Sequence, residues 1–153
     1  EQRFAFMLGS EPGRPLLVGA IDVLAREPGG RALVVDYKSD RLAGTTPAAL
    51  VTHSYLTQRL LYALAALRSG ACGVEVVHCF LEAPEQTVSE TFEPADAVAL
   101  EGRLQELQQG VLSGRYIVSG SPCVAVCGGC PAQGGLCSWP LEMSRRRSPD
   151  TLF

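Results

Sequence analysis

The sequence predicts an α+β fold: a central mixed β-sheet flanked by helices, with a cysteine-rich loop segment near the C-terminal end. Three observations lead there. Apolar, β-branched runs come first, and they are followed by a helical segment, another strand-like run and a second helical segment. Both helical segments carry leucines at helical spacing. Four of the 6 cysteines then fall between positions 123 and 137, where Gly and Pro interrupt any regular period.

Taken in order, residues 3–8 read as a strand and residues 9–15 as a loop rich in breakers. A strand over 16–26, the turn Glu27-Pro28-Gly29-Gly30 and a strand over Ala32–Lys38 complete an antiparallel meander, with Pro28-Gly29-Gly30 as the hairpin signal. Thr45 or Thr46 suits a helix N-cap before Pro47. The main helix is expected over 54–67, on the spacing of Leu56, Leu60, Leu61, Leu64 and Leu67, and Ser69-Gly70 closes it. Residues 73–81 read as a strand with Val74, Val76, His78 and Phe80 on one face, and 87–92 as a weaker edge strand. The second helix is expected over 94–112, burying Val98, Leu100, Leu104, Leu107 and Val111. Cys72 and Cys79 are expected to be buried as small hydrophobes. The domain boundaries expected are a core over 1–120, a cysteine-rich segment over 121–143 packed on it, and a flexible tail over 144–153.

At 153 residues and 46% apolar composition the chain is long enough for one domain, burying about two thirds of its unfolded surface. It opens on Glu1-Gln2-Arg3-Phe4, without Met and already strand-like, and is expected to be a fragment of something longer. No apolar run approaches the roughly 18 residues of a membrane span, and no signal peptide opens the chain. The default expectation is a soluble intracellular, cytoplasmic protein with no membrane partner. A net charge of −3 argues against a nucleic-acid binder held by bulk charge. A local basic groove built from Arg59, Arg68 and Arg145-Arg146-Arg147 stays open.

Chemistry concentrates in residues 16–38. Asp36 and Lys38 lie two apart on one strand, so their side chains share a face about 7 Å apart, and Asp22 can join them if the two segments pair. Lys38 is the only lysine in the chain. Arg stays protonated and forked, whereas Lys is a compact charge whose pKa moves on burial, so a lone Lys in an Arg-using chain points to chemistry. Two carboxylates beside a lysine suit a site that holds Mg²⁺ or Mn²⁺ and activates water against a phosphodiester. Asp22 alone also suits a solvated or capping residue, and Asp36 with Lys38 a plain ion pair. On the following helix Gln58 and Tyr62 stand four apart and share a face, flanked by Tyr55 and Arg59.

Together, Gly-Ala-Ile-Asp at 19–22, Asp-Tyr-Lys at 36–38 and Gln-Arg-Leu-Leu-Tyr at 58–62 resemble the three motifs of the RecB-like branch of the PD-(D/E)xK nucleases. That module ends helicase-nucleases of the RecB and AddA type, and the resemblance covers residues 1 to about 112. It implies a restriction-endonuclease-like core. It further implies that Asp22, Asp36 and the backbone carbonyl of Tyr37 bind Mg²⁺ or Mn²⁺, that Lys38 positions the attacking water, and that Gln58, Tyr62, Tyr55 and Arg59 support the site and line the DNA path. The family's further metal-binding His, on a helix before the first strand, has no match here. His53 reads instead as a surface residue near a helix start and His78 as a core residue; Glu1 is an acid ahead of the first strand.

Cys123, Cys127, Cys130 and Cys137 are enough to hold a structural Zn²⁺ or [4Fe-4S] cluster. AddB-type and CRISPR adaptation nucleases of the superfamily carry a similar C-terminal pattern, pinned by a [4Fe-4S] cluster whose fourth cysteine lies far upstream. Here Cys123 as a local fourth ligand favours zinc, and four reduced thiols in a compact loop are the remaining reading. The function expected is a Mg²⁺/Mn²⁺-dependent deoxyribonuclease acting on DNA, with single-stranded ends as substrate and the helicase motor domains of its parent chain or complex as partners, in end processing and recombinational repair. The alternative is a non-catalytic DNA-guiding or docking module of the same fold. A third reading makes the cysteine segment a zinc module that binds protein or nucleic acid.

Overall fold

The computed structural model describes residues 1–9, 11, 13–115 and 118–147. It divides into two compact units, Glu1–Gln109 and Gly110–Phe153.

The first unit opens with β1 (Gln2–Met7) and β2 (Leu16–Ile21), paired antiparallel with Phe4 opposite Gly19. After Asp22 the chain changes sheet. β3 (Val23–Arg26) pairs antiparallel with β4 (Ala32–Lys38), β4 runs parallel to β5 (Val74–Phe80), and β5 is antiparallel to β6 (Val88–Phe92). The sheet is therefore mixed, in the order β3-β4-β5-β6. The single strand expected over 16–26 is two strands, because Asp22 drops out of the ladder and each half finds a different partner. The β3–β4 hairpin turns where expected: Gly29 and Gly30 take φ of 84° and 85°, the left-handed region open to glycine.

Between β4 and β5 the backbone stays helical from Pro47 to Arg68, as α1 (Pro47–Leu50), a π-helical turn over Val51–Tyr55, and α2 (Leu56–Arg68). Thr46 caps the start, its Oγ1 accepting the Ala49 N–H at 3.2 Å. The cap stands at one of the two expected threonines and α2 runs close to the expected 54–67; what differs is that the two join in one helical run through Val51–Tyr55. Val51-Thr52-His53-Ser54 are poor helix formers, which hides the first turns, but burial of Val51 in the core overrides that preference.

After β6 a 3₁₀ turn, Pro94–Asp96, leads into α3 (Ala97–Leu112). Of the five residues expected to be buried on α3, Leu100 and Leu104 are; Val98 is 82% exposed, and Leu107 and Val111 are exposed too. At roughly 100° per residue Val98 lies about 200° round the helix from Leu100, so it never belonged to that stripe. The core joins Val34 of β4, Ala63 and Leu64 of α2, Val74 and Val76 of β5, and Leu104 of α3. Cys72 and Cys79 depart from expectation. Cys72 is exposed in the turn before β5, and Cys79 is half-buried on the face of β5 opposite Val76 and His78.

In the second unit two short helices, α4 (Val124–Cys127) and α5 (Leu141–Arg145), are tied by side chains reaching backbone carbonyls: Trp139 Nε1 donates to Ser119 O at 2.9 Å and Arg146 Nε to Pro122 O at 2.7 Å. α5 takes in Ser144 and Arg145, the first residues of the expected tail; positions 148–153 lie outside the described residues.

The burial pattern of α3 gives a direct stability test. Leu104→Ala should lose about 2–5 kcal/mol in denaturant unfolding, whereas Val98→Ala should stay within about 0.5 kcal/mol of the parent protein.

Candidate active site

The site forms where the sheet runs out of partners. β3 pairs with β4 only as far as Val23 opposite Val35, so residues 36–38 have β5 on one side and an open edge on the other. Asp22, at the sheet crossing, turns into that edge, and its Oδ2 accepts the Tyr37 N–H at 3.0 Å. In an extended strand the N–H and C=O of one residue point to the same side, so the Tyr37 carbonyl faces this edge as well. The alternation of the strand exposes the Tyr37 ring and buries its neighbours Asp36 (2% exposed) and Lys38 (8% exposed).

Lys38 Nζ lies 2.7 Å from Asp36 Oδ2 in a buried ion pair and donates to Gln58 Oε1 at 2.6 Å. That donor fixes the Gln58 amide, whose Nε2 then donates to Tyr62 Oη at 2.7 Å. The Tyr62 hydroxyl in turn donates to Ala20 O at 2.9 Å, with Asp36 Oδ1 further off at 3.4 Å. The chain of donors runs one way, from the ammonium to the carbonyl two residues before Asp22, and joins all three motif segments. Gly19 makes room for it. A methyl there would sit 2.5 Å from Phe4 Cζ, and the Phe4 ring meets Tyr62 edge-on at 6.1 Å. The π-helical turn ends on Tyr55, whose ring lies 4.0 Å from Lys38 Nζ in a cation–π contact.

Burial sets the protonation states. It holds the Asp36 carboxyl above its usual range; Lys38 works against that shift, and the charge of Asp22 adds to it. The Tyr62 hydroxyl is pushed up to about 12 by burial and then by the Asp36 charge, and Tyr55 to about 12 by burial and then by its hydrogen bond to Asp40. Both stay protonated at neutral pH and act as donors. His78 is pushed down to about 4, first by burial and then by the charges of Arg59 and Lys38, and is neutral.

The structure thus brings Asp22, Asp36, Lys38, Gln58, Tyr62 and Tyr55 to one corner. Arg59 is placed differently. It is buried and ion-paired with Glu90 of β6. Arg68 is likewise engaged, donating to Glu101 at 2.7 Å and to Met7 O. Of the arginines that left a basic groove open, Arg59 and Arg68 are thus each paired with an acid within the first unit, and Arg145, Arg146 and Arg147 belong to the second unit. His53 is exposed and His78 is in the core, as expected, but His78 sits directly opposite Asp36 in the β4–β5 register, which sequence reading passed over. The available signal was a polar residue on the strand face otherwise filled by Val74, Val76 and Phe80.

Two carboxylates and a backbone carbonyl on one open edge are an all-oxygen set, the donor chemistry of a hard divalent cation. Burial raises Asp36 and the charge of Asp22 adds to that shift, so the two carboxylates repel each other, which a cation would relieve. Among the described residues no group of three or more His, Cys, Asp or Glu is placed to hold a metal, and Asp22 and Asp36 are the acidic side chains at this corner. The cysteines follow the same finding. Cys127, Cys130 and Cys137 line one cavity of about 260 Å³, yet the expected four-thiolate set is not assembled: Cys123 is buried while Cys130 is exposed. No helix among the described residues is long and apolar enough to cross a membrane.

The family model of the PD-(D/E)XK nuclease superfamily matches residues 1–135. Two curated relatives, the RecBCD enzyme subunit RecB of Mycobacterium tuberculosis strain CDC 1551 / Oshkosh and of strain ATCC 25618 / H37Rv, are each 43% identical over 63 residues, covering 36% of this chain. The match covers 6% of the length of those relatives. Among solved structures, the crystal structure of SSO0001 is 16% identical with a TM-score of 0.49, over 85% of this chain and 55% of that one.

The depressed His78 predicts acid sensitivity. Between its unfolded value of 6.5 and its folded value of about 4 the unfolded chain binds more protons, so His78 removes stability as pH falls through that window. Unfolding midpoints measured from pH 7 to pH 4 should fall more steeply for the parent protein than for His78→Phe; equal slopes would contradict the assignment.

Proposed function

Since the chain belongs to the PD-(D/E)XK nuclease superfamily, we propose that it is a Mg²⁺- or Mn²⁺-dependent deoxyribonuclease domain. In this reading it hydrolyses phosphodiester bonds at single-stranded DNA ends, as the nuclease part of a helicase-nuclease in DNA end processing and recombinational repair. The observation that carries the proposal is the open edge of β4, where Asp22, the Tyr37 carbonyl and Asp36 meet beside a lysine already held in place. The helicase partner rests on the similarity to RecB, and the cytoplasmic, nucleoid-associated location follows from that partner.

Asp22, Asp36 and the Tyr37 carbonyl would hold the metal. Bound there, it lowers the pKa of its water and neutralises charge on the phosphate. Lys38 is kept near the nucleophile's position by Gln58 and Tyr55, and its ammonium orients the attacking water and offsets charge in the transition state. Tyr62, protonated throughout, fixes Gln58 and takes no proton. The Tyr37 ring and the exposed side of Asp22 face solvent, where a nucleotide strand can reach the corner. The cysteine segment contributes no step.

A second reading has its own observation. Lys38 already occupies Asp36 at 2.7 Å and the side chains supply two acidic ligands, an arrangement that also suits a non-catalytic DNA-guiding or docking module. Titration with Mn²⁺ separates the two. Saturable binding lost in Asp22→Ala and Asp36→Ala supports the nuclease, and no binding supports the docking module.

Activity gives the primary test. Cleavage of single-stranded DNA with Mn²⁺ should fall by at least about 100-fold in Lys38→Ala and vanish in Asp36→Ala, while circular dichroism shows both variants folded. Undiminished cleavage in both would contradict the proposal.

A further inference from the structure

His78 is fully buried, it stands opposite Asp36 in the β4–β5 register, and both of its ring nitrogens lack a hydrogen-bond partner. Its Nε2 is 3.9 Å from Asp36 Oδ2, the carboxylate oxygen that Lys38 Nζ approaches at 2.7 Å from another side. A buried imidazole without a hydrogen-bond partner thus faces, across two adjacent strands, a carboxylate oxygen whose close cation is Lys38, at a distance about 0.7 Å beyond hydrogen-bond range. Leaving the imidazole unpaired is unfavourable, and a small rotation about the side-chain bonds pairs it with that oxygen.

From this geometry we propose that His78 is a positioning residue for Asp36: its Nε2–H donates to Asp36 Oδ2 when the site is loaded, and fixes the carboxylate so that its other oxygen is presented to the metal. The proposal rests on the nuclease reading above and deepens it. In the metal-free site the ammonium of Lys38 compensates Asp36 Oδ2. With the Lys38 ammonium shared among Asp36, Gln58 and the attacking water, Oδ2 has room for a second donor in a dry environment, and the His78 N–H is the group in place to supply it. The imidazole is packed closely on its own strand face. The Tyr55 ring lies 6.1 Å from it on the α2 side, and the neighbouring Val76 and Phe80 on the same strand face are fully buried. A residue acting on a ligand in this way changes metal affinity or activity by about 10- to 100-fold in known metal sites.

The test measures Mn²⁺ affinity by calorimetry on the 153-residue chain in four forms: parent, Asp36→Asn, His78→Phe and His78→Gln. Phe keeps ring volume and removes the donor; Gln keeps a donor. Expected are binding by the parent, loss in Asp36→Asn, affinity lowered about 10-fold or more in His78→Phe, and recovery to within about 3-fold in His78→Gln. A purely structural role for His78 would not be rescued by Gln. Parent-like affinity in a folded His78→Phe, with Asp36→Asn still defective, overturns the positioning role and leaves the nuclease reading standing. No Mn²⁺ binding by the parent overturns both. Should His78→Phe fail to fold, proton–nitrogen spectra of the parent decide, since the chain has 2 histidines and His53→Gln assigns the signals. A downfield shift of the His78 Nε2–H on adding Mg²⁺ is expected, and an unmoved signal overturns the proposal.

Discussion

The hydrogen bond from the Tyr37 N–H to the Asp22 carboxylate is the contact on which the candidate site depends. It forms because β4 outruns β3, leaving the end of a central strand without a neighbour on one side. A backbone donor exposed at such an edge needs a partner, and Asp22 supplies it from the point where the chain leaves one sheet for the other. The same bond therefore does two jobs. It finishes the edge of the sheet, and it brings the first carboxylate to the side of the second.

Around that bond the protein buries charge that it could have left outside. Asp36 and Lys38 are an ion pair with little access to water, and behind them lie neutral His78 and the Arg59–Glu90 pair. Such pairs are a poor source of stability, since losing water offsets much of their attraction. What they secure here is position. Lys38 is held by Asp36, Gln58 and the face of Tyr55, so a flexible four-carbon side chain has one defined place for its ammonium. The π-helical turn that brings Tyr55 there, and the glycine at 19 that admits Phe4 within a regular strand pair, both serve the same corner.

Most of the strands, the turn at Gly29-Gly30 and the residues that meet at the candidate site, Asp22, Asp36, Lys38, Gln58 and Tyr62, are legible in the sequence, because alternation, glycine and a lone lysine are local signals. What was not legible depended on contacts between distant residues. Asp22 splits a strand whose apolar pattern runs on unbroken, and nothing in residues 16–26 says that the two halves join different sheets. Val51–Ser54 look unlike a helix until the burial of Val51 is known. Arg59 reads as a surface cation of an amphipathic helix, and only Glu90, 31 positions later, turns it inward. His78 was placed correctly in the core, but its neighbour is set by the parallel register of β4 and β5, which local pattern does not encode.

The central claim is that Asp22, the Tyr37 carbonyl and Asp36 surround one divalent cation at the open edge of β4. Crystals soaked in Mn²⁺ and measured for anomalous scattering test it directly. A single peak within about 2.5 Å of oxygens from all three residues is the result expected. A peak elsewhere, or none at that edge under saturating Mn²⁺, would contradict it.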